Sequence, residues 1–182
     1  MELTVQLPPR QEQLARNRQR WTEVMADPSL ARLPHRIETN RHGQVLISPP
    51  PSGRHSSLQG EIAFRLRQML GGRTLPECPI STLDGVRAAD VGWYSDSRYS
   101  GVAGQAVFEL APEICVEVLS PANTDAELAE KRSLYFEAGA EEVWFCREDG
   151  GLEFYRKGIP ETDTGNSRIA EGFPQRLEDS KG

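Results

Sequence analysis

The sequence predicts an α/β fold, a mixed β-sheet flanked by helices, with antiparallel hairpins around a central βαβ unit. Three observations predict it. In "PEICVEVLS" (112–120), Ile114, Val116 and Val118 face one way and Cys115, Glu117 and Leu119 the other. Apolar side chains thus occupy both faces, as in a central strand covered on both sides. Next, Thr124 followed by Glu127 forms a capping box that starts a helix, Gly139 ends it, and "EEVWFCR" resumes as strand. Strand, crossover helix and strand make a parallel βαβ unit with right-handed connection. Finally, turn-bearing alternating segments flank that unit. "HRIET-NRHG-QVLISP" alternates on both sides of a Gly43-containing turn, and "EEVWFCR" has a partner strand in "GGLEFYRKG".

The other elements follow in order. Pro9 to Met25 reads as a polar helix with Leu14, Trp21, Val24 and Met25 as its apolar contacts. Residues 1–29 are therefore expected to form an N-terminal helical segment ahead of a domain spanning 30–177. The prolines of "PPPSGRHSS" continue neither strand nor helix, so this is a loop. From Ser56 to Leu70, a helix places Leu58, Ile62, Leu66, Met69 and Leu70 on one face, and Gly71-Gly72 ends it. Short strands are expected at "CPISTL" and "RAADVGWY", joined by a turn at Asp84-Gly85, with "SDSRYSGVAGQAVFEL" a surface loop. "RIAEGFPQRL" reads as one more short strand, and 178–182 as a disordered tail.

Composition narrows the function classes. With 182 residues, 37% hydrophobic and 26% charged, the chain is one ordinary domain and not a disordered one. No apolar run approaches the ~18 residues a membrane span needs. The N-terminal residues lack the basic-then-apolar order of a secretion signal, so a cytoplasmic location is expected. Cys78, Cys115 and Cys146 form no CxxC pattern and read as small buried apolar groups. A net charge of −6 disfavours non-specific nucleic-acid binding, yet carboxylates that hold metal ions also contribute to it. No GxGxxG, GK[ST] P-loop or GxSxG occurs, which disfavours a small-molecule α/β enzyme.

Two placements are costly. Glu117 lies inside an apolar strand, and Lys131 shares one helix face with Leu128, Leu134, Tyr135 and Ala138, whereas Glu130, Arg132 and Glu137 lie away from it. A snorkelling lysine and a solvated strand face would be the bland account. A carboxylate and an ammonium facing each other in a cleft is the specific one, since buried ion pairs add little stability and more often serve chemistry. Asp90 joins them from "VRAADVGWY". Two carboxylates on neighbouring strands, with a backbone carbonyl and waters, complete an oxygen shell for Mg²⁺. Lys131 would then orient a water or neutralise charge on a phosphate.

The order Asp90, then Glu117-Val118-Leu119, then a helix bearing Lys131 resembles the PD-(D/E)XK nuclease superfamily. It is more closely similar to the Uma-type family of restriction endonucleases. That likeness is carried by "IETNRHGQVLISPPPSGRH", "GVRAADVGW", "PEICVEVLSPANTDAELAEKRSLYFEAGAEEVWF" and "LEFYRKG", across about residues 30 to 177. The resemblance implies a restriction-endonuclease-like fold and cleavage of DNA with Mg²⁺ or Mn²⁺. It also implies Asp90 and Glu117 as metal ligands, Lys131 as the catalytic lysine, and Glu38 as a further acidic residue reaching the site. Ala89 stands where the name-giving proline would be. Leu119 stands where the strand lysine would be, and the family's lysine has moved to the helix, where Lys131 lies.

His55 could contact a phosphate or the metal, or simply cap or pack the loop. Glu61 is expected to be solvated, with the cleft as its alternative. Arg54, Arg65, Arg67 and Arg73 form a modest basic cluster. A homodimer would let two sites act on two strands. The alternative to an active nuclease is a nuclease-fold protein that binds nucleic acid or a protein partner without cutting.

Overall fold

The computed structural model describes residues 8–30 and 36–177. In chain order its elements are helix α1 (Arg10–Ala26), strands β1 (Arg36–Thr39) and β2 (Val45–Ser48), helix α2 (Gly53–Leu70), strands β3 (Arg73–Thr82) and β4 (Gly85–Tyr94), helix α3 (Asp96–Ser100), strand β5 (Ile114–Val118), helix α4 (Asp125–Glu137), and strands β6 (Glu142–Cys146) and β7 (Leu152–Arg156).

The strand read from "PEICVEVLS" is the middle of a five-stranded mixed sheet ordered β3-β4-β5-β6-β7, and every residue of it is buried. β5 and β6 are parallel, as the βαβ reading requires, and the other neighbours in this sheet are antiparallel. Ile114, Val116 and Val118 join Leu58, Ile62 and Leu66 of α2 in one core, on one sheet face. Cys115 and Phe145 join Tyr135 and Phe136 of α4 in the other. The hairpin β1–β2 is a separate two-stranded sheet. The N-terminal start of the hairpin segment at His35 and the tail at 178–182 lie outside the described residues.

Hydrogen bonding explains where the structure departs from the sequence reading. The inward face of α1 is Gln13, Asn17, Trp21 and Val24, whereas Met25 is exposed. Asn17 is buried because its amide donates to Ser81 Oγ (2.9 Å) and to the Thr82 carbonyl (2.8 Å), a contact that apolar periodicity cannot register. α2 begins at Gly53, earlier than expected, because the Ser52 hydroxyl accepts from the His55 amide. His55 thus sits in the first helical turn. Met69 is exposed, and Gln59 takes a buried position. The capping box of Thr124 and Glu127 forms in both directions.

Three further corrections concern residues 95–110, residues 168–177 and Arg132 of α4. The expected surface loop 95–110 contains α3 and buries Val102, Val107 and Phe108. Residues 168–177 form no strand beyond an isolated bridge between Gly151 and Arg176. They are instead held to the core by Ala170, Phe173 and Leu177, and by Glu142, whose buried carboxylate accepts from Ser167 Oγ and the Arg168 and Ile169 amides. Arg132, expected away from the buried stripe, is itself buried, with its guanidinium 4.3 Å above the Tyr155 ring and paired with Glu161.

Candidate functional site

The site lies where the sheet splits. β3 and β4 share nine residue pairs, but the β4–β5 ladder covers only Val91↔Val116, Gly92↔Cys115 and Trp93↔Ile114. Continuing that register would set Asp90 across from Glu117. Past Val91 and Val116 the ladder ends, leaving amides that need other acceptors. Side chains supply them. Asp90 Oδ2 accepts from the Val118 amide at 2.6 Å, and on the far half of β4 Glu38 Oε1 accepts from Ala88 (2.8 Å) and Thr39 Oγ1 from Val86 (3.0 Å). A cleft of about 1070 Å³ opens at this split, and Asp90, Glu117, Lys131 and His55 all line it.

Lys131 Nζ lies 2.9 Å from Glu117 Oε2, and the Tyr135 hydroxyl donates to Oε1 of the same carboxylate. Lys131 and Tyr135 are four residues apart on α4, one turn of one face. Burial pushes the Glu117 carboxyl up from its ordinary range, with Lys131 pulling against it and Asp90 adding to it. For Lys131, burial opposes the charge, but Glu117 and Glu38 together outweigh it and raise the ammonium's pKa. Asp90 is fully buried. Burial disfavours its charge, yet the His55 contact and the Arg36 guanidinium hold the carboxyl below its ordinary value. His55 Nε2 lies 3.3 Å from Asp90 Oδ1, and that contact raises the imidazole's pKa.

Glu38 does not line the cleft. It is buried, bonded to the Ala88 amide and 4.0 Å from Arg36 Nη2, so it acts on the site through charge. Glu61 pairs with Arg65 along α2. Of the basic cluster, Arg54 Nε donates to the Glu148 carbonyl and Arg73 lies 5.9 Å from the Tyr99 ring.

Three cleft residues were missed by the sequence reading. Arg36 Nη1 donates to Asp90 Oδ1 at 2.8 Å, and Arg36 Nε lies 3.3 Å from Glu77 Oε2. Burial works against its charge, but Glu117, Asp90 and Glu38 together drive the guanidinium's pKa up. Gln59 donates to Glu77 Oε1 (3.0 Å) and to the Asp90 carbonyl (2.7 Å). Arg36 was legible in principle, because the alternation of "RIET" sets it on the same side as Glu38. Glu77 carried no such signal, since its position depends on a left-handed backbone, φ 49°.

The residues that could hold a hard divalent cation here are Asp90 and Glu117. Asp90 and Glu117 offer carboxylate oxygens at the cleft, and a cation, the Arg36 guanidinium, already rests against Asp90. Among the described residues no group of three His, Cys, Asp or Glu has metal-binding geometry, so waters and backbone carbonyls would complete the shell.

Residues 21–179 match a family model, Uma2, described as "Putative restriction endonuclease". The chain belongs to the Uma2 family. Its fold is shared with a solved structure described as a "putative nuclease belonging to DUF820" from Anabaena variabilis ATCC 29413. That alignment has a TM-score of 0.57 and 20% identity, and covers 70% of this chain and 73% of that one. At this identity the likeness is one of fold. No curated protein matches the chain. At the coarse level of the Uma2 description the chain is a restriction-endonuclease-like protein. Among its described residues, no helix is long and apolar enough to cross a membrane.

Proposed function

We propose that this Uma2 protein is a metal-dependent endonuclease that hydrolyses DNA phosphodiester bonds. The observation that carries the reading is the Lys131–Glu117 contact of 2.9 Å in the cleft that Asp90 also lines. Asp90 and Glu117 would hold Mg²⁺ or Mn²⁺. When bound, the cation supplies Lewis-acid stabilisation of charge developing on the scissile phosphate. The Lys131 ammonium, kept charged by Glu117, orients the attacking water or neutralises that charge. Tyr135 fixes the Glu117 carboxylate and the Val118 amide fixes Asp90, so neither must reorganise during the reaction.

In this reading His55, which lines the cleft 3.3 Å from Asp90, meets a phosphate oxygen. Glu38 contributes its charge to Arg36 and Lys131. In this reading residues 30–177 form the nuclease-like unit, 1–29 precede it as a helical segment, and a homodimer addresses both strands.

The test is incubation of the protein with plasmid DNA and Mg²⁺ or Mn²⁺. Nicking or linearisation is expected, and is lost in Glu117→Ala and Lys131→Ala. Cleavage that persists in both variants would rule out this site. A second reading, a nuclease-fold protein that binds without cutting, is favoured by Arg36 sitting on the Asp90 oxygen that a metal would need. DNA binding with no cleavage under either metal would select it.

A further inference from the structure

We propose that Arg36 is the resident counter-ion of Asp90, holding the place of the divalent cation and yielding it as the metal binds, with Glu77 retaining the displaced guanidinium. The proposal rests on the reading of Asp90 and Glu117 as metal ligands.

The geometry around Arg36 carries it. Its Nη1 bonds Asp90 Oδ1 at 2.8 Å, whereas among the described residues its buried Nε and Nη2 have no hydrogen-bond partner. A structural arginine fills its donors, commonly in a two-point fork with a carboxylate. Here one hydrogen bond and the surrounding charge hold the group, so leaving Asp90 forfeits little bonding. A second acceptor is already within reach, because Glu77 Oε2 lies 3.3 Å from Nε. Glu77 adopts φ 49°, a conformation a non-glycine residue rarely holds without compensation. It does so where the β3–β4 ladder skips the pair between Pro76↔Val91 and Cys78↔Ala89. Gln59 anchors its other oxygen at 3.0 Å. This strained position within β3 thus presents a carboxylate beside Arg36 at the cleft, its side chain 47% exposed.

Charge balance gives the device its purpose. Glu38, Glu77, Asp90 and Glu117 face Arg36 and Lys131, with His55 beside Asp90, and Lys131 is committed to Glu117. Without Arg36, the fully buried Asp90 would keep only His55 and the Val118 amide as partners until a metal arrived. A guanidinium and a divalent cation on the same oxygen repel, so their occupancies are linked. Removing the competitor must tighten metal binding and weaken the metal-free fold.

Calorimetric titration of Mn²⁺ into the full chain, with melting curves with and without Mn²⁺, tests this on wild type, Arg36→Met and Glu117→Ala. Arg36→Met is expected to bind Mn²⁺ about tenfold tighter or more, since one unit charge leaves a shared oxygen. It should also melt lower without metal and gain more from Mn²⁺ than wild type does. An affinity equal to or weaker than wild type overturns the role of Arg36. If wild type nonetheless binds Mn²⁺ and Glu117→Ala does not, the metal-ligand reading survives that result. No Mn²⁺ on any of the three proteins overturns both. Should Arg36→Met fail to fold, the Arg36 Nε–H resonance of wild type decides. Displacement predicts that it moves as Mg²⁺ saturates the site, and a stationary signal overturns the proposal.

Discussion

Breaking the Lys131–Glu117 pair from one side, and then removing it from both, separates its stabilising role from its proposed chemistry. In Lys131→Met, Glu117 stays buried, 4% exposed, with Tyr135 as its remaining donor. Stranding a buried charge costs ~3–5 kcal/mol when no relief exists. Two features lower that figure here. The Lys131 side chain keeps 22% of its exposure, so part of the pair is already screened. The Glu117 carboxyl is already pushed up by burial, so it takes a proton and sheds its charge more easily than an ordinary glutamate. A loss of about 2–3 kcal/mol remains, which for a chain of this size lowers Tm by roughly 5–10 °C.

The double variant Glu117→Gln/Lys131→Met leaves no buried charge at this position, so it should recover to within ~1 kcal/mol of wild type. Plasmid cleavage should behave differently. It should fall by about 10²–10³-fold in Lys131→Met, the scale of losing one preorganised charge at a transition state, and should not return in the double variant. Thermal melts and a nicking assay on the same preparations read both quantities. A double variant as unstable as the single one would refute the uncompensated-charge reasoning. A double variant that regains cleavage would refute a chemical role for Lys131.

Two further outcomes follow from the frame around the site. Gly85 has φ +84°, and a Cβ there would lie 2.2 Å from the Thr39 carbonyl, so Gly85→Ala should cost ~2–3 kcal/mol. A shift in urea midpoint worth under ~0.5 kcal/mol would contradict the close approach of β1 to the β4 turn. Asp84 is buried, which alone would raise its pKa, but Arg41 and Arg87 hold it below the ordinary 3.8. Its contribution is therefore fully present above the unfolded value and lost as pH falls through the lowered folded one. The Tm gap between wild type and Asp84→Asn should hold constant above about pH 5 and close below about pH 4. A gap that widens in acid would refute that sign.

The chain states its βαβ unit openly. Central burial of β5, the capping box of α4 and the alignment of Lys131 with Tyr135 all follow from local periods and caps, which a sequence displays. The cleft positions of Glu117 and Lys131 were legible because each is a charge among apolar neighbours, and that of Asp90 because a carboxylate enters an apolar-rich strand. What stayed hidden is satisfied by partners far away in sequence. Asn17 is buried by Ser81 and Thr82, Glu142 by the segment at 167–169, and Gln59 by Glu77 and Asp90. A polar residue whose bonds close only in three dimensions looks, along the chain, like any solvated one. Arg36 and Glu77 belong to the same class.

The end of the β4–β5 ladder accounts for both the cleft and its charge. Where strands separate, backbone amides lose their partners, and carboxylates are the acceptors that can reach them. Asp90 at Val118 and Glu38 at Ala88 do this work, so acidic groups accumulate at the split for structural reasons before any chemistry is considered. Cations must then accumulate too, and Arg36 and Lys131 enter from β1 and α4. The cleft nevertheless remains acidic, with Glu77, Asp90, Glu117, Glu127 and Glu148 lining it against those two cations and His55. Under the proposed function, a DNA phosphate cannot enter such a cleft on the protein's own field. It needs the positive charge of a bound divalent ion, which ties substrate binding to metal binding and leaves metal-free protein a poor ligand for DNA.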